Sequence, residues 1–333
     1  MDPVTQGLLG AAVPQAFASK NHHRKAAVIG AFGGMAPDLD VLIRSSDDPL
    51  LFLDFHRHFT HSVLFIPIGG TLVAAALFLL VRKSFSFRQT WLFATAGYAT
   101  HGLLDTCTSY GTYLLWPFTG TRYAWDNVAV VDPFLTLPLA LLVSIAFLKR
   151  RNIWARLGLV LVLLYLLGGV VQRNRAMSNL QEMAIQRGHR PEIMVAKPTL
   201  GNLWLWRCIY EWEGFFYVDA VWILPLSQPV WYQGEAIAKF NPQEAFPELD
   251  LTSVHGKDLE RFDHFSAGFL ALHPDDPLVV GDIRYALVPN QIYPLWGIRL
   301  DPSAAHEHVR YETFREITPE RKQTYFRMLR GQP

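Results

Sequence analysis

A chain of 333 residues that is half hydrophobic and only 18% charged departs from soluble proteins, of which about a quarter of residues are charged, and leans towards a membrane. Its length accommodates two units of ordinary domain size. A formal net charge of +1 excludes a global attraction to nucleic acid, and two cysteines, Cys107 and Cys208, exclude a disulfide framework and read most simply as unrelated thiols.

The opening Met-Asp-Pro has neither a basic start nor a small-residue cleavage site, so no cleavable signal peptide is expected and insertion uses segments that stay in place. Six apolar segments follow, at 4–18, 26–43, 62–81, 91–104, 133–147 and 157–171. The third is the strongest candidate for crossing a membrane, with twenty residues and no charge. The others are short or carry polar residues, a length that also suits buried helices of a bundle. Pro37 and the Gly33-Gly34 pair should break or bend the second.

Basic residues give an orientation. Lys20, Arg24 and Lys25, then Arg82, Lys83 and Arg88, then Lys149, Arg150, Arg151 and Arg156 occupy three loops without an acid. The positive-inside rule places those loops in the cytoplasm, and six crossings then leave both termini outside. Arg173 and Arg175 cut against this assignment. Residues 1–171 thus read as a membrane-embedded helical bundle, and 172–333 as a soluble α+β domain. In the latter, 203–212 and 215–224 read as strands joined by a hairpin turn at Glu213-Gly214, 278–286 and 295–300 as further strands, and 311–329 as a surface helix. The expected fold class is mainly α: a polytopic membrane helical bundle followed by a smaller α+β extracytoplasmic domain.

Within the apolar half lie side chains that bind metals. Asp38 and Asp40 sit in Ala-Pro-Asp-Leu-Asp, His56, His58 and His61 in His-Arg-His-Phe-Thr-His-Ser, and His101 and Asp105 in His-Gly-Leu-Leu-Asp. Ionisable groups at membrane depth are costly unless they pair or bind something. Imidazoles with carboxylates suit zinc, manganese or iron. His101 and Asp105, four apart, share one face of a helix. Each motif alone has a bland explanation, such as a buried pair, a helix cap or a turn. Three of them, on segments that the topology brings to one face, point to a metal site made of Asp38, Asp40, His56, His61, His101 and Asp105. Asp126 and Asp132 lie on the same expected side and are candidates for a general base, although Asp132-Pro133 also has the form of a helix cap with a first-turn proline.

On these residues the chain resembles the YdjM-type family of inner-membrane, metal-dependent hydrolases. The resemblance rests on Met-Asp-Pro-Val-Thr-Gln-Gly-Leu-Leu-Gly-Ala-Ala, the three motifs above, and Thr-Ser-Tyr-Gly-Thr with Leu-Leu-Trp-Pro-Phe. It covers about the first 140 residues. It implies a distant similarity to zinc-dependent phospholipase C and the fungal zinc nucleases, with Asp38 or Asp40, His61, His101 and Asp105 as the Asp…His…His-x-x-x-Asp core. His56 then matches the histidine ahead of Thr-His-Ser, and Met1 and Asp2 gain a possible role at the metal. Thr5-Gln6 departs from the Thr-His of some relatives, and within the stretch that the resemblance covers no second His-x-x-x-Asp/Glu is present.

The expected activity is a membrane-bound, metal-dependent hydrolase of the bacterial inner membrane. One or two zinc-like divalent ions would activate a water towards a phosphoester or other lipid-type substrate. Site and carboxy-terminal domain would face outwards, membrane lipids would be the partners, and no nucleic acid is expected. The alternative is a non-enzymatic membrane protein with a structural metal or a polar transport path.

Overall fold

The computed structural model describes residues 1–224 and 227–332. The amino-terminal half is helical: α1 (Pro3–Phe17), α2 (His23–Met35), a 3-10 helix at Ala36–Leu42, α3 (Leu51–Phe55), two 3-10 turns at Phe59–His61 and Val63–Phe65, α4 (Ile66–Val81), α5 (Phe87–Thr106), α6 (Pro133–Lys149) and α7 (Asn152–Gln186). Strands follow: β1 (Met194–Pro198), β2 (Leu205–Trp212), β3 (Phe215–Trp222), β4 (Val230–Tyr232) and β5 (Ala236–Ala238). After α8 (Pro242–Ala245) and α9 (Val254–Ser266) come β6 (Leu270–His273), β7 (Asp276–Asp282), β8 (Trp296–Arg299), β9 (Arg310–Thr313) and α10 (Pro319–Leu329).

The expectation of a mainly α, polytopic bundle is overturned. Half of the chain is helical and 15% is strand, arranged in two sheets. Among the described residues, only Val63–Val81 and Asn152–Gln186 are long and apolar enough to cross a membrane. The reason lies in helix length and in what the small residues do. With 15 and 13 residues, α1 and α2 are about 20 Å long, against a hydrocarbon layer of about 30 Å. Their glycines and alanines serve contact between helices instead of contact with lipid. A Cβ at Gly97 of α5 would lie 2.1 Å from the Gly30 carbonyl oxygen of α2, and one at Gly34 would lie 2.5 Å from the Gln6 oxygen of α1. The orientation drawn from six crossings loses its basis. The two remaining spans differ from core helices, because only 17% and 22% of their apolar windows is buried.

The chain divides into two compact units. The first comprises Met1–Leu42, Phe55–Val171 and Leu200–Leu203. Asp2 caps α1 by accepting from Thr5 N, Ser86 and Gln89 form a capping box on α5, and Asp132 caps α6 with Pro133 behind it. Its core joins Leu9, Ala12, Leu104, Leu135, Leu139 and Val162, with a second cluster around Ile29, Ala74, Phe85 and Phe93.

The second unit comprises Ile43–Asp54, Gln172–Thr199 and Trp204–Pro333. One sheet has the order β1-β2-β3-β4, with β5 also paired to β3; the other has the order β6-β7-β8-β9. β2 and β3 pair from Leu205↔Trp222 to Trp212↔Phe215, and the turn falls at Glu213 and Gly214, both at positive φ. Ala176, Leu180 and Ala184 of α7 pack on Trp206, Tyr210 and Val221. Where a helix was expected over 311–329, β9 comes first and the helix starts only at Pro319, after the Thr318 cap. Cys107 and Cys208 are both buried and unbridged.

Candidate metal centre

Four elements of the first unit converge. α2 runs out at Met35, and the 3-10 helix that contains Pro37 carries Asp38 and Asp40. A backbone reversal with Arg57 at φ 64° and the turn Phe59–His61 present His56 and His61. α5 presents His101 and Asp105 one turn apart. Gln6 of α1 donates from Nε2 to Asp105 Oδ1 at 2.8 Å.

His61 Nε2 and His101 Nε2 face one another at 2.9 Å. Asp38 Oδ1 lies 3.5 Å from the first and 3.3 Å from the second. Asp105 Oδ2 lies 3.5 Å and 3.7 Å from the same two atoms. Ligands held at about 2.0–2.1 Å in a tetrahedron stand about 3.3–3.4 Å apart; the four carboxylate–imidazole separations, 3.3–3.7 Å, lie near that edge, while the two imidazoles at 2.9 Å stand closer, at hydrogen-bond distance. Asp105 Oδ2 is buried and makes no hydrogen bond, Arg57 Nε lying 3.0 Å away outside hydrogen-bond geometry. The donor types and this orphaned oxygen fit a divalent ion.

The ring orientations are set from behind. His101 Nδ1 donates to the Gly34 carbonyl at 2.6 Å, which turns its Nε2 lone pair inwards. His61 Nδ1 lies 3.2 Å from Asp40 Oδ2 and 3.0 Å from Thr60 Oγ1. Asp40 is itself fixed, accepting from Arg57 N at 2.9 Å and Thr60 Oγ1 at 2.7 Å, and its other oxygen lies 2.8 Å from His56 Nδ1. Gly102, the residue after His101, abuts the backbone of His61; a Cβ there would lie 2.2 Å from the His61 carbonyl oxygen.

Electrostatics follow from this geometry. Burial alone would push His61 down, but Asp105, Asp38 and Asp40 outweigh it and raise its pKa to about 10. His101 lies below its ordinary value, because it is buried and faces the charge of His61. The pair therefore shares one proton, on His61. Burial would raise Asp38, yet His101 and His61 hold it far below the usual carboxylate range; Asp40 is held down likewise by His56 and His61.

Asp38, His61, His101 and Asp105 thus come together, and Asp38, Asp40 and His56 form an adjoining group. Asp126 and Asp132 belong to neither group. Asp126 is buried at positive φ. Asp132 accepts from Phe134 N at 3.1 Å and Tyr165 OH at 2.7 Å, the work of a helix cap. Burial raises its pKa despite those bonds. His58 packs on the rings of Tyr113 and Trp116 at 4.7 and 5.5 Å. Arg57 and Thr60 are missing from the residues singled out by sequence. Both stand inside the histidine motif, but nothing in the string tells a buried arginine from an exposed one. Gln6, which stood out as a departure from Thr-His, reaches Asp105 as a donor instead. The Met1 amino group also contacts Asp105 Oδ1.

A third group of metal-ligand type, in the second unit, comprises Asp48, Asp258 and His308. Arg261 already occupies it. The guanidinium grips both oxygens of Asp48 at 3.1 and 2.9 Å, Asp54 at 2.6 Å and Asp258 at 2.7 Å.

A family model described as YdjM inner membrane protein matches residues 1–176, more than half of the chain and every residue of the centre. The chain belongs to the YdjM inner membrane protein family. The second unit's sheets lie beyond the matched stretch, so the YdjM description concerns the helical half that carries the donors. No curated protein matches the chain, and no solved structure does.

Proposed function

We propose that the chain is a membrane-bound, metal-dependent hydrolase whose substrate is a phosphoester or related lipid-type ester. The observation that carries this reading is the convergence of two imidazole nitrogens and two carboxylate oxygens within 4.8 Å of one another, close enough to share one ion. Asp38, His61, His101 and Asp105 would hold the ion, zinc being the best fit to the donors, and Asp40 with His56 flank a second position. When bound, such an ion lowers the pKa of a coordinated water and supplies a nucleophile at neutral pH. The chain's own part is orientation: the Gly34 carbonyl and Asp40 fix the two imidazoles, and Gln6 holds Asp105. Asp38, the one of these four whose side chain is not fully buried (20% exposed), would be the side from which a substrate reaches the ion.

The deciding experiment is metal content by mass spectrometry on detergent-purified protein, set against a His101→Ala, Asp105→Ala double variant of matched folding. Stoichiometric zinc or manganese, lost in the variant, supports the reading. No metal in the wild type, even after reloading, sinks it.

A second reading, a structural metal in a non-enzymatic membrane protein, is favoured by one observation: four protein donors already complete the tetrahedron, as in closed structural sites. Cobalt substitution separates the two. Visible bands that shift on adding phosphate mark an open coordination position, and bands that stay fixed mark a closed one.

A further inference from the structure

The segment between α5 and α6 makes an excursion closed at its base by reciprocal backbone bonds between Thr112 and Tyr123, both 2.9 Å. Its tip is apolar and uncovered: Phe118 is 81% exposed and Leu115 42%. Between Tyr110 and Trp125 the only charge is Arg122, whose guanidinium lies 5.8 Å from the Tyr113 ring. Such a surface is unfavourable in water.

Its position in the fold says what covers it. Val63, the first residue of the Val63–Val81 span, donates its backbone N–H to the Leu114 carbonyl at 2.9 Å. Trp116 packs against His58 and Phe59, just ahead of that span. Val63 and Leu64 are themselves 47% and 46% exposed, which continues the apolar surface from the span to the excursion. The excursion is therefore fastened to the end of a membrane-crossing helix. There, tryptophan, tyrosine and arginine gather in membrane proteins, because an amphipathic ring and a guanidinium suit the headgroup layer. A segment whose sequence carries one cation and no acid also complements anionic headgroups.

We infer that residues 113–122 form an interfacial anchor, seated in the headgroup layer of the leaflet that meets the amino-terminal end of the Val63–Val81 span. Because His61 stands two residues ahead of that span, the anchor sets the mouth of the centre at headgroup level. Joined to the proposed hydrolase reading, on which this last step rests, it narrows the substrate class to esters of lipid headgroups presented by the same bilayer.

The test is the depth of a nitroxide attached at Phe118→Cys in nanodiscs of zwitterionic and anionic phospholipid. Cys107 and Cys208 are buried, and the unsubstituted protein gives any background labelling. Leu72→Cys, 60% exposed within the span, sets the lipid limit, and free label in buffer sets the water limit. The anchor predicts a ratio of oxygen to water-soluble nickel-chelate accessibility between the two limits, several-fold above that of free label in buffer and below the Leu72 value. A label at the water limit, or one shielded from both relaxants beneath another protein surface, overturns it. Metal content of the same preparation keeps the two proposals apart. A lipid-seated label on a metal-free protein removes the hydrolase and leaves the anchor, while a water-exposed label on a metal-loaded protein does the reverse.

Discussion

Asp40 holds His61 from behind: its Oδ2 stands 3.2 Å from Nδ1, while the opposite Nε2 points at His101. This makes Asp40 an orienting partner more than a ligand of the tetrahedral position. Asp40→Asn keeps the shape and removes the charge that aligns the ring. The expected result is retained metal stoichiometry with affinity weakened by about 10–100-fold. Asp38→Asn, which alters a donor, should instead lower stoichiometry. Competition with a chromophoric chelator reads both, and equal losses of stoichiometry in the two variants would contradict the distinction.

The proton shared by His61 and His101 gives a pH dependence of definite sign. The His61 pKa rises from about 6.5 unfolded to about 10 folded, so its contribution to the metal-free protein is complete below pH 6.5 and lost as the pH climbs towards 10. An ion at this centre must displace that proton. Metal affinity should therefore strengthen about tenfold per pH unit between those limits, with a proton released on binding. Melting temperatures without metal and calorimetry in buffers of different ionisation enthalpy test the two halves. A metal-free melting temperature that is level from pH 6.5 to 9.5 would refute the assignment.

Helix contact at glycine should be intolerant. Gly97→Ala places a methyl 2.1 Å from the Gly30 oxygen and should cost about 1–3 kcal/mol through overpacking. Gly120→Ala, with nothing within 4 Å, should be close to neutral. Thermal unfolding in one detergent ranks the pair.

Arg261 bridges three carboxylates of the second unit, and Asp258 is 1% exposed. Arg261→Ala leaves that buried acid with His308 and the Val309 amide alone, and should destabilise by about 2–3 kcal/mol, reduced from the fully buried case because the arginine side chain is 25% exposed. Lysine should restore only part, since it lacks the planar fork that takes both oxygens of Asp48. Denaturant titration followed by tryptophan fluorescence supplies the comparison.

The donors were legible because imidazole and carboxylate are rare in greasy sequence and four-residue spacing has one meaning on a helix. His101 with Asp105 alone reads equally as a buried pair, and only the three motifs together pointed to one site. The partners behind them were not legible: the Gly34 carbonyl carries no side chain to notice, and Arg57 reads as a charge until its burial is known. The hairpin at Glu213-Gly214 showed itself through turn chemistry and flanking aromatics. The count of crossings went astray for a physical reason. Apolar runs rich in glycine and alanine, such as those of α1 and α2, serve backbone-to-backbone packing as readily as lipid contact, and composition does not separate the two.

Gly102 leaves no room between α5 and the carbonyl of His61, so the backbones that carry the two imidazoles meet in direct contact. The approach of the two rings therefore starts from a main-chain spacing that only a glycine at 102 permits. Calcium needs oxygen ligands at about 2.3–2.6 Å, more of them, and a looser frame, whereas zinc is satisfied at about 2.0–2.1 Å. On the proposed reading such a frame would favour the smaller cation, and a side chain at position 102, by pushing α5 away from His61, would shift that preference towards larger ions.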